Sequence, residues 1–147
     1  MVRWLSTLCV LLGVAWSVPA AAGLFGGGPP GRIPIPAAEF SATVEDVGGT
    51  SLVIERMSFD GEVFLFGTVG KAQVTFPFAT LQTATFLPGD DEDHRVVEVT
   101  DRAGTTLRVV VKADRKLTGR TAFGNYRIEA ADIRRIAIAS TADADRR

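Results

Sequence analysis

Between residues 37 and 140 the sequence consists of short segments rich in Val, Ile, Phe and Thr, interrupted by Gly or Asp-Gly. Some of these segments alternate apolar and polar residues: Val109 and Val111 alternate with Arg108 and Lys112. A period of two residues is typical of a half-buried β-strand, and no stretch keeps a helical period beyond a turn or two. The pattern predicts an all-β domain, with strands at residues 39–47, 51–57, 62–67, 72–78, 95–101, 105–112 and 125–130.

Two parts of this domain resemble each other. Residues 44–52 align with residues 99–107 at an offset of 55, and Asp, Gly, Thr and Leu coincide. Further along, the offset becomes 52, and residues 74–86 align with residues 126–138. Asp and Gly at these positions are typical of tight hairpin connections. The alignment predicts two diverged copies of one four-stranded module, at about residues 39–86 (the first segment) and 95–138 (the second segment).

One such copy is too small to bury a good hydrophobic core by itself. We therefore expect the two copies to share one core, as a small β-barrel or a β-sandwich. Residues 131–138 are predicted to form one helical turn, capped by Asp132, and then the last strand.

The second segment carries a G-x-T-x-F-G motif, formed by Gly119, Thr121, Phe123 and Gly124, and an I-x-x-I ending at Ile136. This combination resembles a small repeated β module found in exported bacterial proteins of mostly unassigned role. The first segment matches it poorly, because residues 67–70 (GTVG) lack the Phe-Gly pair. The resemblance implies a small barrel of Sm-like type and transfers no catalytic residue.

The N-terminus has the pattern of a secretory signal peptide. Arg3 precedes an apolar stretch at residues 5–18, and small residues end at Ala22, which predicts a signal peptide over residues 1–22. The alternative is an uncleaved membrane anchor, because residues 4–22 carry no charge. Export places the protein in the periplasm or outside the cell.

Two further segments flank the β domain. Residues 23–36 are rich in Gly and Pro, which predicts a linker, and the polar residues 141–147 are predicted to be a disordered tail. The single cysteine, Cys9, lies within the signal peptide, so the cleaved chain would contain no disulfide and no thiolate ligand.

Charge is divided unequally between the two segments. The first has two basic and six acidic residues, a net of −4, and the second has ten basic and five acidic residues, a net of +5. One hypothesis is a basic surface that binds an anionic ligand, formed by Arg108, Lys112, Arg115, Lys116, Arg120, Arg127, Arg134 and Arg135. The alternative, which the near-zero net charge favours, is that the basic segment faces the acidic one within a monomer or a head-to-tail oligomer. Nucleic acid is not an expected partner.

Between the segments lies an acidic loop that contains Asp90, Asp91, Asp93 and His94. Carboxylate oxygens suit calcium, and His94 could join a transition-metal site, but the spacing differs from that of an EF-hand. The alternative is a solvated loop with no metal. No cofactor is expected.

Neither a nucleophile–base pair nor a convincing pair of carboxylates is present, so the sequence predicts no enzyme. Asp46 and Asp101 are explained as hairpin residues. Phe64 and Phe66 share one face of a strand whose other face is also apolar, which predicts a central strand or a subunit contact.

The resulting hypothesis is a non-enzymatic binding or assembly module of the bacterial envelope. Its partner would be another protein or a second copy, and a membrane only if the N-terminal segment is retained. The alternative is a protein that binds an anionic ligand or a metal.

Overall fold

The computed structural model describes residues 33–139, so the predicted signal peptide, most of the linker and the tail lie outside the described residues. These residues contain ten β-strands, one short 3₁₀ turn and no α-helix. The all-β prediction is confirmed. Of the two predicted architectures, the barrel-like one forms: a single antiparallel sheet curls into a half-barrel.

The strands are β1 (Ala42–Asp46), β2 (Ser51–Phe59), β3 (Phe64–Val69), β4 (Ala72–Pro77), β5 (Leu81–Pro88), β6 (His94–Asp101), β7 (Thr106–Lys112), β8 (Lys116–Thr121), β9 (Gly124–Glu129) and β10 (Ile133–Ile138). Their order across the sheet is β4-β3-β7-β6-β5-β10-β1-β2-β8-β9. The prediction of four strands per segment is wrong, because each half of the chain has five. Strand β8 escaped detection because Leu117, Thr118 and Gly119 are buried in succession and give no alternation.

The strand order of the sheet is symmetric with respect to the two halves of the chain. If β1 is exchanged with β6, β2 with β7, and so on to β5 with β10, the order becomes its own reverse. Equivalent turns have equivalent bonds. Asp46 Oδ1 accepts the Thr50 N–H at 2.9 Å, and Asp101 Oδ1 accepts the Thr105 N–H at 2.8 Å. Both carboxylates therefore hold hairpin turns.

The concave side of the sheet holds the hydrophobic core. Strands from both halves contribute to it, with Val44 and Ile54 from the first half and Val97, Val109 and Leu117 from the second. Burying each such side chain stabilises the fold by about 1.5–3 kcal/mol relative to exposure. The expectation of one shared core is thus met by a sheet that mixes strands of both halves.

Strand β2 passes from one neighbour to another through an irregularity. Residues 51–54 pair with β1, and Glu55, Ser58 and Phe59 pair with β8. The register shifts between Glu55 and Ser58, where Arg56 has a left-handed backbone with φ 53°. The preceding chain packs here, since the Phe40 carbonyl accepts the Met57 N–H at 2.9 Å. The buried Ser58 and Thr118 hydroxyls satisfy each other at 2.8 Å.

The short 3₁₀ turn lies between β9 and β10, at Ala130–Asp132. The prediction that Asp132 caps it is wrong: Glu129 occupies the N-cap position, and no side chain caps the turn. Asp132 instead contributes its carbonyl, which accepts the Val47 N–H at 2.9 Å. Within residues 33–139, no helix is long and apolar enough to cross a membrane.

The β8–β9 hairpin is anchored to the core at its base. Tyr126 and Ile128 pack against the core cluster, and Leu117 is fully buried. Burial raises the pKa of Tyr126, and the nearby Asp46 carboxylate adds to this effect.

A close approach between β3 and β7 makes Gly67 sensitive to substitution. A Cβ at this position would lie 2.8 Å from the Val110 carbonyl oxygen, which is backbone and cannot rotate away. We expect Gly67→Ala to lower the free energy of unfolding by about 1–3 kcal/mol in urea denaturation. The exposed Thr75→Ala on β4 is the control and should change it by less than about 0.5 kcal/mol. Equal effects would contradict the close approach.

Candidate functional site

Ion pairs hold Arg108, Arg115 and Arg134 of the predicted basic surface. Arg108 pairs with Glu98 at 3.1 Å within the second segment. Arg115 pairs with Asp60 at 2.7 Å, and Arg134 pairs with Glu45 at 3.2 Å. These last two pairs join the basic segment to the acidic one within a single chain, as the alternative of internal complementarity expects.

The other basic residues are spread over separate parts of the sheet. Arg120 of β8 lies opposite Glu55 of β2 in the strand register. Arg135 of β10 lines a shallow hollow with Glu45, and Arg127 lies on β9. The eight residues therefore do not form one continuous face.

One group of three basic residues does come together, around the turn between β7 and β8. Strand β7 ends at Lys112, β8 begins at Lys116, and Arg115 lies in the connection. These three residues line a surface hollow of about 330 Å³, together with Asp60 and Asp114. The turn thus brings three cations and two carboxylates together in one hollow.

Beside this turn lies an open groove of about 270 Å³, which we call the Lys112 groove. It is lined by Phe66, Gly67, Thr68, Gln73, His94, Val110, Val111, Lys112 and Arg115. Strands β3, β4, β6 and β7 and the β7–β8 turn supply these residues. Polar, cationic and aromatic groups therefore face one small volume.

Arg115 is held in a defined position at the edge of the groove. Its guanidinium carbon lies 4.0 Å from the centroid of the Phe66 ring, a cation–π distance. The guanidinium also donates to Asp60 Oδ2 at 2.7 Å, while Asp60 Oδ1 accepts the Lys116 N–H at 2.9 Å. Because two contacts orient the side chain, little conformational entropy remains to be lost when a ligand binds.

Lys112 is the exposed cation of the groove. It lies directly opposite His94 in the β6–β7 register. Within residues 33–139 its ammonium group forms no ion pair. The two residues also line a second, larger hollow of about 490 Å³, whose acidic residues are Glu92, Asp93, Asp114 and Glu129.

The acidic loop is held by its own hydrogen bonds. Asp91 Oδ1 accepts the Asp93 N–H at 3.0 Å and contacts His94 Nδ1 at 2.8 Å. The hydrogen bond with His94 holds the pKa of Asp91 below its ordinary value. Of the predicted metal ligands, Asp90, Asp91, Asp93 and His94, the described structure joins Asp91 to His94. In the described part of the chain, no three His, Cys, Asp or Glu residues are grouped to hold a metal ion.

The sequence does not indicate Thr68 and Gln73 of the groove, nor Asp60 beside it. Phe66 is predicted from the sequence to lie on a central strand or in a subunit contact, but β3 lies next to the end of the sheet and is not central. Leu65 fills the core, whereas Phe64 and Phe66 are half-buried. The stacking of Arg115 on Phe66 joins residues far apart in sequence, so no local pattern could have indicated it.

The chain matches a known protein family. A family model described as "Uncharacterised protein" matches residues 36–141, a stretch that includes both segments. No curated protein and no solved structure matches the sequence.

Two variants of Asp60 separate its two roles. Asp60→Asn keeps an acceptor for the Lys116 N–H and removes the charge facing Arg115, so we expect a loss of at most about 1 kcal/mol. Asp60→Ala removes both acceptors and places Ala at φ 53°, so we expect a loss of about 2–3 kcal/mol. Urea unfolding measures both. Equal losses would show that neither the Lys116 bond nor the backbone conformation matters.

Proposed function

Since the chain belongs to this family of uncharacterised proteins, we propose its function from geometry: it is a non-enzymatic binding module of the bacterial envelope, and the Lys112 groove receives an anionic group of its partner. The observation that carries the proposal is that two cations line the same groove: Arg115, which is held in position over Phe66, and Lys112, which is exposed.

The lining of the groove favours a carboxylate, sulfate or phosphate group. Lys112 and Arg115 offer charged donors, and the Thr68 hydroxyl and Gln73 amide offer neutral ones. A volume of about 270 Å³ suits one small group rather than a large cofactor. Because the site is open to solvent, salt will screen the attraction, so we expect weak binding that becomes weaker at high ionic strength.

The proposal includes the two-copy origin of the domain, which the symmetric strand order supports. In each half a glycine lies close to a carbonyl of the other half: Gly67 to Val110 and Gly119 to Glu55. Extended back along the chain, the offset of 52 pairs Phe66 with Thr118. Thr118 is buried against Ser58, so this position in the other half carries no exposed ring. The groove would thus have no counterpart at the symmetry-related position of the sheet.

The cellular context of the proposal comes from the N-terminal sequence. A cleaved signal peptide would deliver the chain, from Gly23 onward, to the periplasm or the extracellular space without a cysteine. The proposed activity needs no cofactor and no metal.

Anion binding can be tested with inorganic phosphate and galacturonate as probes, by NMR titration of the backbone amides. We expect shifts at Lys112 and Arg115, and a Kd raised at least about fivefold by Lys112→Gln, because one of two cations is lost. Lys71→Gln in the β3–β4 turn is the control and should leave the Kd unchanged. An absence of shifts, or equal weakening by both variants, would refute the proposal.

Self-association is a second candidate function, favoured by the outward-facing, half-buried Phe64 on β3. Opposite charge is a poor driving force for it, because Asp60 and Glu45 already pair with arginines of the same chain. Light scattering of the chain from Gly23 to Arg147 should give a salt-insensitive oligomer if Phe64 joins two copies, and the same monomer mass at low and high salt if it does not. An oligomer that dissociates in salt would show that the two segments also meet between chains.

A further inference from the structure

Phe123 is the most exposed large hydrophobic residue in the described chain, with 94% of its surface open to solvent. It lies at the tip of the hairpin formed by β8 and β9, which ends the sheet on one side. A single exposed apolar residue is ordinary on a protein surface. For Phe123, the structure of the turn and the nearby charge indicate a binding role.

The tip is a built turn that satisfies its own backbone. The Phe123 N–H donates to the Thr121 hydroxyl oxygen at 3.2 Å, and this hydroxyl donates to the Gly124 carbonyl at 3.1 Å. Gly124 has φ 135°, a conformation that favours glycine. Because these polar groups already form hydrogen bonds within the turn, the free energy of desolvating the tip is lower than for an open loop.

The β8–β9 hairpin carries a net positive charge, and Arg120 is its basic residue nearest the tip. Residues 116–129 contain Lys116, Arg120 and Arg127 against one acid, Glu129, a net of +2. Arg120 is exposed and pairs with Asn125, one residue pair below the Thr121–Gly124 pair at the end of the hairpin. Neighbouring residues along a strand are about 3.4 Å apart. If the tip enters an interface, the Arg120 side chain therefore lies just outside the inserted part.

The equivalent hairpin in the other half differs at this point. The alignment pairs Phe123 with Lys71, which lies in the turn between β3 and β4. Strand β4 also ends in Pro77, and lysine and proline are the residues that keep a sheet edge in water. The two ends of the sheet therefore have opposite surface chemistry.

We propose that the β8–β9 hairpin is a peripheral membrane-binding element, in which Phe123 inserts into the interface of an anionic lipid surface and Arg120 contacts the headgroups. This contact requires no retained N-terminal segment and is independent of the anion site in the Lys112 groove. An apolar side chain backed by basic ones is the combination that binds such surfaces.

A lipid surface fits this tip better than a second copy of the chain. A protruding, convex tip needs a concave pocket on a protein partner but only a soft interface on a membrane. The groove that contains Phe66 would be the apolar recess on a second copy, yet Lys112 and Arg115 line it and would repel Arg120.

The test uses the chain from Gly23 to Arg147, which contains the whole described sheet and no tryptophan. Vesicles of phosphatidylcholine with equal phosphatidylglycerol are compared with vesicles of phosphatidylcholine alone, by co-sedimentation at low salt. We expect binding to the anionic vesicles and at least about tenfold weaker binding after Phe123→Ser. Arg120→Gln should weaken binding about fivefold. Phe123→Trp should show a blue-shifted emission with the anionic vesicles.

Val47→Ser is the matched control, because Val47 is also an exposed apolar turn residue but lies in the β1–β2 connection. It should leave vesicle binding unchanged. Three results would overturn the proposal: equal binding to neutral and anionic vesicles, unchanged binding of Phe123→Ser, or no vesicle binding. If the chain without vesicles forms a larger species that Phe123→Ser abolishes, the tip contacts a second copy instead.

Discussion

The structure depends on antiparallel pairing between strands from opposite halves of the chain. Strand β10 joins β1 to β5, β2 pairs with β8, and β7 pairs with β3. All four of these contacts connect residues of the first half with residues of the second, and the core side chains follow the same mixture. Neither half has a complete sheet or a covered hydrophobic face by itself, so folding and the binding groove both require the two halves together.

The pairing of strands from both halves also determines which charged side chains form ion pairs and which remain exposed for binding. Arg115 and Arg134 cross to carboxylates of the first half, so much of the charge imbalance between the segments is compensated inside the chain. Partly exposed ion pairs of this kind add little stability, and their main consequence is orientation. Arg115 becomes a fixed cation over Phe66, next to the exposed Lys112. The hairpin at the opposite end of the sheet keeps its own basic residues beside Phe123.

Local sequence signals predicted the parts of the fold that local chemistry controls. The hairpins at Asp46 and Asp101 formed as expected, because a carboxylate that accepts a nearby backbone N–H needs no distant partner. Strand β8 was not predicted, because the buried Thr118 has its hydroxyl partner, Ser58, on a strand distant in sequence, which no local pattern indicates. The candidate site was predictable only in part: the sequence named Lys112, Arg115 and His94, but the other six predicted basic residues do not line the groove. The positions of those residues depend on which strands pair, and no local sequence pattern specifies that pairing.

By itself, the sequence determined the all-β class, the positions of the tight turns and the unequal charge of the two segments, because alternation, Asp-Gly turns and residue counts act over a few neighbouring residues. Only the tertiary structure decided that the sheet curls into a half-barrel, that Arg115 stacks on Phe66 beside Lys112, and that Phe123 projects from the edge hairpin. These outcomes depend on which strands pair across long distances in the chain. That choice follows from burying the apolar faces of both halves in one core.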